Sequence, residues 1–201
     1  MRVPPPELLP ILRSAVQGEI LAATYLSPDR EYSVTDLAQL AGTSLKAAGQ
    51  EVGRLVAAGF LDDRRFGNQR LVRRPATSRM VNALGDLLAA TYGPLPVLTE
   101  ELGGVSGVEQ AFIYGSWAAR HEGQPGGIPD DIDVLVVGTA SLDDLDEVAE
   151  RCAARLHRAV NIRRVSGSYW SDPSPDDTFV TAVRASALVP ILLDDRCRRR
   201  P

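Results

Sequence analysis

The sequence has 201 residues, of which 44% are hydrophobic and 24% charged, and both values are ordinary for a globular protein of one domain or two small ones. No apolar run is long enough to span a membrane, two histidines leave little for a zinc site or a catalytic triad, and two widely separated cysteines make a disulfide framework unlikely. The proline-rich start lacks a signal peptide's apolar core, so we expect a cytoplasmic protein with no membrane partner.

The net charge of −4 is unevenly distributed along the chain. Residues 1–75 carry 10 Lys/Arg and 8 Asp/Glu, whereas residues 76–201 carry 12 and 18. This difference favours two domains with different partners. We predict one domain over residues 1–75, a helical linker over 76–104 and a second domain over 105–201.

Hydrophobic periodicity predicts three helices in the first part of the chain, over residues 14–26, 34–41 and 45–58. Ser33 and Asp36 approximate a capping box at the start of the second helix. Glycine follows the second and third helices, where a left-handed residue commonly ends a helix. Two short helices joined by a turn with glycine are typical of a helix-turn-helix.

A β-hairpin follows the third helix. Residues 60–66 and 69–72 flank Gly67-Asn68, which is a typical two-residue hairpin turn. In this order of helices and hairpin, residues 14–75 resemble the winged-helix transcription regulators of the ArsR and MarR type. The resemblance implies a DNA-binding winged helix-turn-helix domain.

Charge and position select the candidate DNA contacts. Residues 64–74 hold five arginines and no acidic residue, which suits phosphate contacts or insertion into the minor groove. The polar face of the third helix enters the major groove in this motif, where Gln50 could read adenine and Arg54 guanine or phosphate. Glu51 would oppose DNA unless it points aside. The candidates are Ser44, Lys46, Gln50 and Arg54 on the helix, and Arg64, Arg65 and Arg70 in the hairpin.

An alternative use of the winged helix is docking to a protein, or dimerisation, with the arginines solvated. Residues 80–92 have the apolar spacing of a helix, and residues 97–102 predict a further helical turn. This apolar stripe suits a seam between the domains or the interface of a homodimer.

The stretch 108–138 is the most informative of the second part. An apolar strand over 111–114 ends at Gly115-Ser116, a loop rich in Gly and Pro follows, and a second strand runs over 132–137. Asp131 and Asp133 are two residues apart, so on a strand they project to the same face and repel each other. A divalent cation relieves that repulsion, and Mg²⁺ is usually held by one or two carboxylates and a substrate phosphate.

Together these motifs resemble the nucleotidyltransferase fold shared with DNA polymerase beta, and most of all its small, minimal-type bacterial members, over residues 105–195. The resemblance implies an α+β domain with a mixed sheet. It also implies that Gly115 and Ser116 hold the nucleotide triphosphate and that Arg120 adds a basic group. Asp131 and Asp133 would be the catalytic residues and the ligands of Mg²⁺.

The chain departs from that family on the next predicted strand, 159–165. Active members usually have a third carboxylate there, and the matching residue is Asn161, a weak general base. The resemblance therefore supports nucleotide and metal binding more firmly than catalysis. Further along, a helix over 141–158, a loop over 168–177, a helix over 178–187 and a strand over 188–193 are predicted.

Three functions fit these patterns. The first is a DNA-binding transcriptional regulator whose second domain binds Mg²⁺ and ATP or another nucleoside triphosphate. The second is an enzyme that transfers a nucleoside monophosphate to a protein or nucleic-acid acceptor. The third, implied by minimal nucleotidyltransferase antitoxins, pairs with a partner protein encoded by a neighbouring gene.

Overall fold

The computed structural model describes residues 12–127, 129–173 and 178–193. The chain divides into two units, Met1–Gly93 and Pro94–Pro201, hereafter the first and second units. Residues 76–104, predicted as a helical linker, contribute one helix to each unit. No helix in the described residues is long and apolar enough to cross a bilayer.

The first unit has the element order of a winged helix. Its elements are α1 (Ala15–Tyr25), β1 (Tyr32–Ser33), α2 (Val34–Leu40), α3 (Leu45–Ala57), β2 (Asp62–Phe66), β3 (Gln69–Arg73) and α4 (Arg79–Tyr92). The strands form an antiparallel sheet in the order β1-β3-β2. The predicted winged helix-turn-helix is confirmed, and the short strand β1 was missed because two residues carry no periodicity.

Local signals place the helices of the first unit as the sequence predicts. The Ser33 hydroxyl accepts a hydrogen bond from the Asp36 backbone at 3.1 Å, and the Asp36 carboxylate accepts one from the Ser33 backbone at 3.0 Å, which completes the capping box. The apolar side of α3 is buried, and α4 joins the same core through Leu88. Burial of these stripes holds the helices against the sheet.

The second unit is a separate mixed sheet with helices on both faces. Its elements are α5 (Pro94–Gly103), β4 (Val108–Tyr114), α6 (Gly115–His121), β5 (Asp131–Gly138), α7 (Leu142–Leu156), β6 (Ala159–Val165), α8 (Gly167–Ser171), α9 (Thr178–Ala185) and β7 (Val189–Pro190). The strand order is β6-β5-β4-β7, with β5 and β6 parallel and the other pairs antiparallel. The predicted α+β class with a mixed sheet is confirmed.

Alternation along β5 divides its side chains between two cores. Ile132, Val134 and Val136 pack in the core that includes α5 and α7. Leu135 and Val137 pack on the opposite face, in a core that includes α9. Asp131 and Asp133 alternate with the first set, so the backbone places both on the second face, near its polar end.

Two predicted elements of the second unit differ from the structure. The predicted loop over 168–177 begins instead with α8, because the Ser166 hydroxyl accepts a hydrogen bond from the Tyr169 backbone and caps a short helix. The predicted final strand is reduced to Val189–Pro190. The basic end of the chain, with Cys197, lies outside the described residues.

Candidate functional site

The exposed face of α3 carries the predicted major-groove residues. Ser44, Lys46, Gln50 and Arg54 are all exposed, while Val52 and its apolar neighbours are buried. The Ser44 hydroxyl accepts a hydrogen bond from the Ala47 backbone at 3.2 Å, so it caps α3. Lys46 and Gln50 therefore present polar side-chain groups on this face, and neither is hydrogen-bonded to another side chain within the described part of the chain.

Glu51 points away from that face into the first unit. It is 3% exposed, accepts hydrogen bonds from Arg13 and Arg54 at 2.5 Å each, and accepts one from the Gln17 amide at 3.1 Å. Burial acts to raise the pKa of the Glu51 carboxyl, but the hydrogen bonds and charges of Arg54 and Arg13 hold it below its ordinary value. The concern that Glu51 opposes DNA is resolved, because Glu51 is turned inward and neutralised.

Two of the hairpin arginines also contact acidic residues. Arg64 donates from Nε to Glu31 at 2.8 Å and makes a second contact through Nη2, and this hydrogen bond lowers the pKa of Glu31. Arg70 donates to Asp63 at 2.5 Å. Arg65 is exposed and forms no ion pair with any residue that the structure describes. The hairpin is therefore less basic than its run of arginines indicates.

These acidic partners were missed at the sequence level. The turn at Gly67 sets the hairpin register, in which Arg65 pairs with Arg70 and Asp63 lies one step further along the same face. That register makes Asp63 a diagonal neighbour of Arg70, so this contact could have been found from the turn. Glu31 precedes β1, and no local signal relates it to Arg64.

In the second unit, the two predicted metal ligands lie beside Asn161. Asn161 pairs with Asp133 in the parallel register of β5 and β6. Its amide donates to Asp131 at 3.2 Å and to Asp133 at 3.1 Å. Asn161 is thus within hydrogen-bond distance of both carboxylates, and it stands where the sequence analysis expected it. Asp131, Asp133 and Asn161 are hereafter the acidic cluster.

The glycine-serine bend reaches the same place. Gly115 has φ of +73°, and a β-carbon built there would lie 2.9 Å from the Asp133 carboxylate. Any other residue would be strained in this conformation and would crowd Asp133. Ser116 follows in the first turn of α6 and is exposed. The structure therefore brings the bend and the acidic cluster together.

Arg120 has a different environment from the one expected of a nucleotide contact. Its Nη1 donates to the carbonyl of Gln124 at 2.7 Å and to that of Pro125. A β-carbon at Gly126 would lie 2.5 Å from the guanidinium carbon, so Gly126 leaves room for this contact. Arg120 thus holds the loop after α6 through two backbone carbonyls. Its contact with a nucleotide remains a prediction.

Tyr114 and Arg163 are neighbours of the acidic cluster that the sequence analysis did not select. Tyr114 pairs with Asp133 across β4 and β5. Burial raises the pKa of Tyr114, the Asp133 charge adds to the effect, and the Arg163 charge opposes it. Arg163 lies two residues after Asn161 on β6, with its guanidinium carbon 3.6 Å from the centroid of the Phe179 ring. A positive group therefore accompanies the carboxylates on this face.

The acidic cluster fits one partly protein-held Mg²⁺ ion. Two carboxylates and an amide oxygen are hard ligands, and Mg²⁺ accepts one or two carboxylates when phosphate and water complete its shell. In the hydrogen-bonded state the Asn161 amide offers its nitrogen, so binding through its oxygen requires a rotation of the amide. Among the described residues no group of three or more His, Cys, Asp or Glu side chains could hold a metal. The donors present suit one ion better than two.

Comparison with known proteins finds likeness only in solved structures. No protein-family model matches the chain, and no curated protein matches it. Reduced HlyU from Vibrio cholerae is 24% identical over 41% of this chain and 82% of its own, with a TM-score of 0.34. The transcriptional repressor BigR from Xylella fastidiosa is 27% identical over 41% and 81%, with a TM-score of 0.33. Wild-type MarR from E. coli is 19% identical over 43% and 63%, with a TM-score of 0.34.

Proposed function

We propose that the first unit binds duplex DNA and that the protein is a transcriptional regulator. The observation that carries this proposal is the combination of an exposed polar face on α3 with an arginine-bearing hairpin in one winged helix. In such a unit the second helix of the helix-turn-helix enters the major groove. Lys46 and Gln50 then face base edges, and Arg65 faces phosphate.

The arginines that contact carboxylates within the protein can also contact DNA, if each exchanges its carboxylate for a phosphate. The side chains of Arg54, Arg64 and Arg70 are 51%, 50% and 35% exposed, although each contacts a carboxylate. A phosphate oxygen offers a guanidinium the same charge-assisted hydrogen bonds as a carboxylate. We infer that these arginines turn from their acids to the DNA backbone, which makes affinity lower than the arginine count alone suggests.

The DNA hypothesis is tested with duplexes selected from a random library and with the chain's own upstream DNA. Fluorescence anisotropy over a salt series should show a steep loss of affinity. Neutralising about five phosphates gives a slope of about −4.5 for the logarithm of the binding constant against the logarithm of salt concentration. Arg65→Ala should reduce that slope by about one, whereas Lys46→Ala and Gln50→Ala should weaken sequence preference. Arg79→Ala, outside α3 and the hairpin, is the control. Absent or salt-insensitive binding of the wild-type protein removes the proposal.

We propose for the second unit that the acidic cluster and the Gly115-Ser116 bend bind a nucleoside triphosphate with Mg²⁺. The proximity of Gly115 to Asp133 supports it, because backbone and carboxylates can then reach one phosphate group. The ion would supply neutralisation of phosphate charge, and Asp131 and Asp133 would hold it. Isothermal titration with each of the four nucleoside triphosphates, with and without Mg²⁺, tests this proposal. A binding heat that is the same with and without Mg²⁺ would contradict this proposal.

Regulation would follow from coupling between the two ligands. If the nucleotide changes DNA affinity by some factor, DNA must change nucleotide affinity by the same factor. Anisotropy titrations with and without Mg²⁺–ATP, and nucleotide titrations with and without DNA, should therefore give equal ratios. Unequal ratios would show that one of the titrations reports another event.

Sedimentation of the complex tests for the homodimer that reading two half-sites requires.

A further inference from the structure

The tip of the β2–β3 hairpin exposes an aromatic ring. β2 ends at Phe66, Gly67 turns the chain with φ of +58°, and β3 begins at Gln69. Phe66 is 66% exposed, more than any other large apolar side chain among the described residues of the first unit. Scattered exposed apolar residues are normal, so exposure alone does not assign a role.

The ring has a defined neighbour that keeps it at the tip. The guanidinium carbon of Arg64 lies 5.6 Å from the centroid of the Phe66 ring. Arg64 is in turn hydrogen-bonded to Glu31. A chain of contacts thus runs from Glu31 through Arg64 to Phe66, and it supports the ring without burying it.

The strands behind the ring carry charge that an anionic ligand would complement. Arg65 and Arg70 are directly opposite in the hairpin register. Like charges in that position destabilise a strand pair, and the Asp63 carboxylate contacts just one of them. An apolar tip backed by Arg65, and by Arg70 when it leaves Asp63, suits the minor groove of DNA, which has base edges at its floor and a phosphate backbone along each side.

We propose that Phe66 enters the DNA minor groove as an apolar wedge, partly unstacks a base step and bends the duplex. This inference rests on the proposed DNA binding and adds the residue that enters the groove, the base step that it contacts and the bend of the duplex. Steps that unstack easily, such as TA and CA/TG, should be preferred where the ring enters. Arg65 and, once it has left Asp63, Arg70 then contact backbone phosphates from the other face of the hairpin.

Three variants of the full chain test the wedge: Phe66→Ala removes it, Phe66→Leu keeps an apolar side chain, and Met80→Ala removes another exposed apolar side chain outside the hairpin. Affinity is measured by anisotropy across a salt series, bending by energy transfer between the duplex ends, and unstacking by 2-aminopurine placed along the site. Circular dichroism melts establish that each variant is folded, as expected for exposed positions.

Phe66→Ala should weaken binding by about tenfold or more, because stacked and wedged rings contribute at this level. Its salt slope should equal that of the wild type, since no phosphate contact is lost, and its bend and 2-aminopurine signal should fall. Phe66→Leu should keep most of the bend, and Met80→Ala all of it.

The results that would disprove the wedge differ from those that would disprove DNA binding. If the wild-type protein binds duplex DNA and Phe66→Ala binds and bends it equally well, the wedge is wrong while DNA binding stands. If Phe66→Ala instead abolishes self-association in sedimentation and leaves the bend unchanged, the ring contacts a second copy and the wedge is again wrong. If the wild-type protein binds no duplex, both proposals fall.

Discussion

In the first unit, Arg54, Arg64 and Arg70 each contact a carboxylate, whereas in the second unit Asp131 and Asp133 share a neutral amide. The first surface is therefore largely neutralised within the protein. The second keeps two negative charges that hydrogen bonds from Asn161 stabilise without cancelling. The difference indicates that an anionic ligand of the first unit must displace internal partners, while a cation is the natural complement of the second.

The largest effect is expected from removing a charge of the acidic cluster. Asp133→Asn should weaken binding of Mg²⁺–ATP by about 100-fold, because the ion loses a charged carboxylate ligand. Isothermal titration measures the change. The control is Asp146→Asn, which removes the same charge from the exposed side of α7 and should leave affinity unaltered. Equal losses in both variants would mean that net charge, and not a site, governs binding.

Next in size is the stability that Glu51 provides to the first unit. Glu51→Ala should lower the unfolding free energy of this unit by about 2 kcal/mol, since Arg13 and Arg54 lose a buried partner but can be solvated. Hydrogen exchange of the α1 and α3 amides measures it. Asp86→Ala, which changes an exposed acid on α4, should have little effect.

The Glu51 effect should also depend on pH with a definite sign. The folded pKa of Glu51 is lowered, so its stabilisation is fully present above the carboxyl's unfolded pKa. It is lost as pH falls through the lower, folded pKa. The stability difference between the wild type and Glu51→Ala should therefore be constant near neutral pH and shrink in acid. A difference that grew in acid would contradict this account.

A smaller effect, an increase in Mg²⁺ affinity, is expected from Asn161→Asp. This substitution adds a third negative charge to the acidic cluster and so increases its contrast with the neutralised surface of the first unit. A third carboxylate should raise Mg²⁺ affinity by about tenfold, because ligand charge strengthens the binding of hard cations. Mg²⁺ titrations without nucleotide measure it. Asn82→Asp adds the same charge to exposed α4 in the first unit and is the control. Unchanged affinity would show that Asn161 is not beside the ion.

The smallest effect is expected at Glu31, a carboxylate of the protein that competes with DNA for Arg64. Glu31→Gln should raise DNA affinity by about threefold, because Arg64 no longer has to leave a carboxylate, and exposed ion pairs contribute little. Anisotropy measures the change against Asp29→Asn, which removes the same charge from an acid that forms no ion pair with a described residue. A loss of affinity in Glu31→Gln would mean that Glu31 orients Arg64 for DNA and does not compete with it.

The fold was largely predictable because its signals are local. Apolar periodicity, capping residues and hairpin turns indicated the helices of the first unit and the principal strands of both units. The short strand β1 and helix α8 were missed, since two to five residues do not establish a period. Residues 76–104 were predicted as one linker with two helical segments, 80–92 and 97–102, yet these segments belong to different units, which divide at Gly93 and Pro94.

The candidate sites were predictable in part. Alternation along β5 was enough to place Asp131 and Asp133 on one face, and the apolar stripe of α3 was enough to expose Lys46 and Gln50. The roles of these residues remain predictions. Arg163 and Tyr114 were not selected, because their nearness to Asp133 depends on how three strands align.

By itself the sequence determined which elements form and which side each presents, because both follow from backbone geometry over a few residues. Only the tertiary structure decided which charges remain available to a ligand. Glu51 meets Arg13 across 38 residues, Glu31 meets Arg64 across 33, and Asn161 meets Asp133 across 28. Contacts over such separations depend on how whole elements pack, and the electrostatics of both sites follows from that packing.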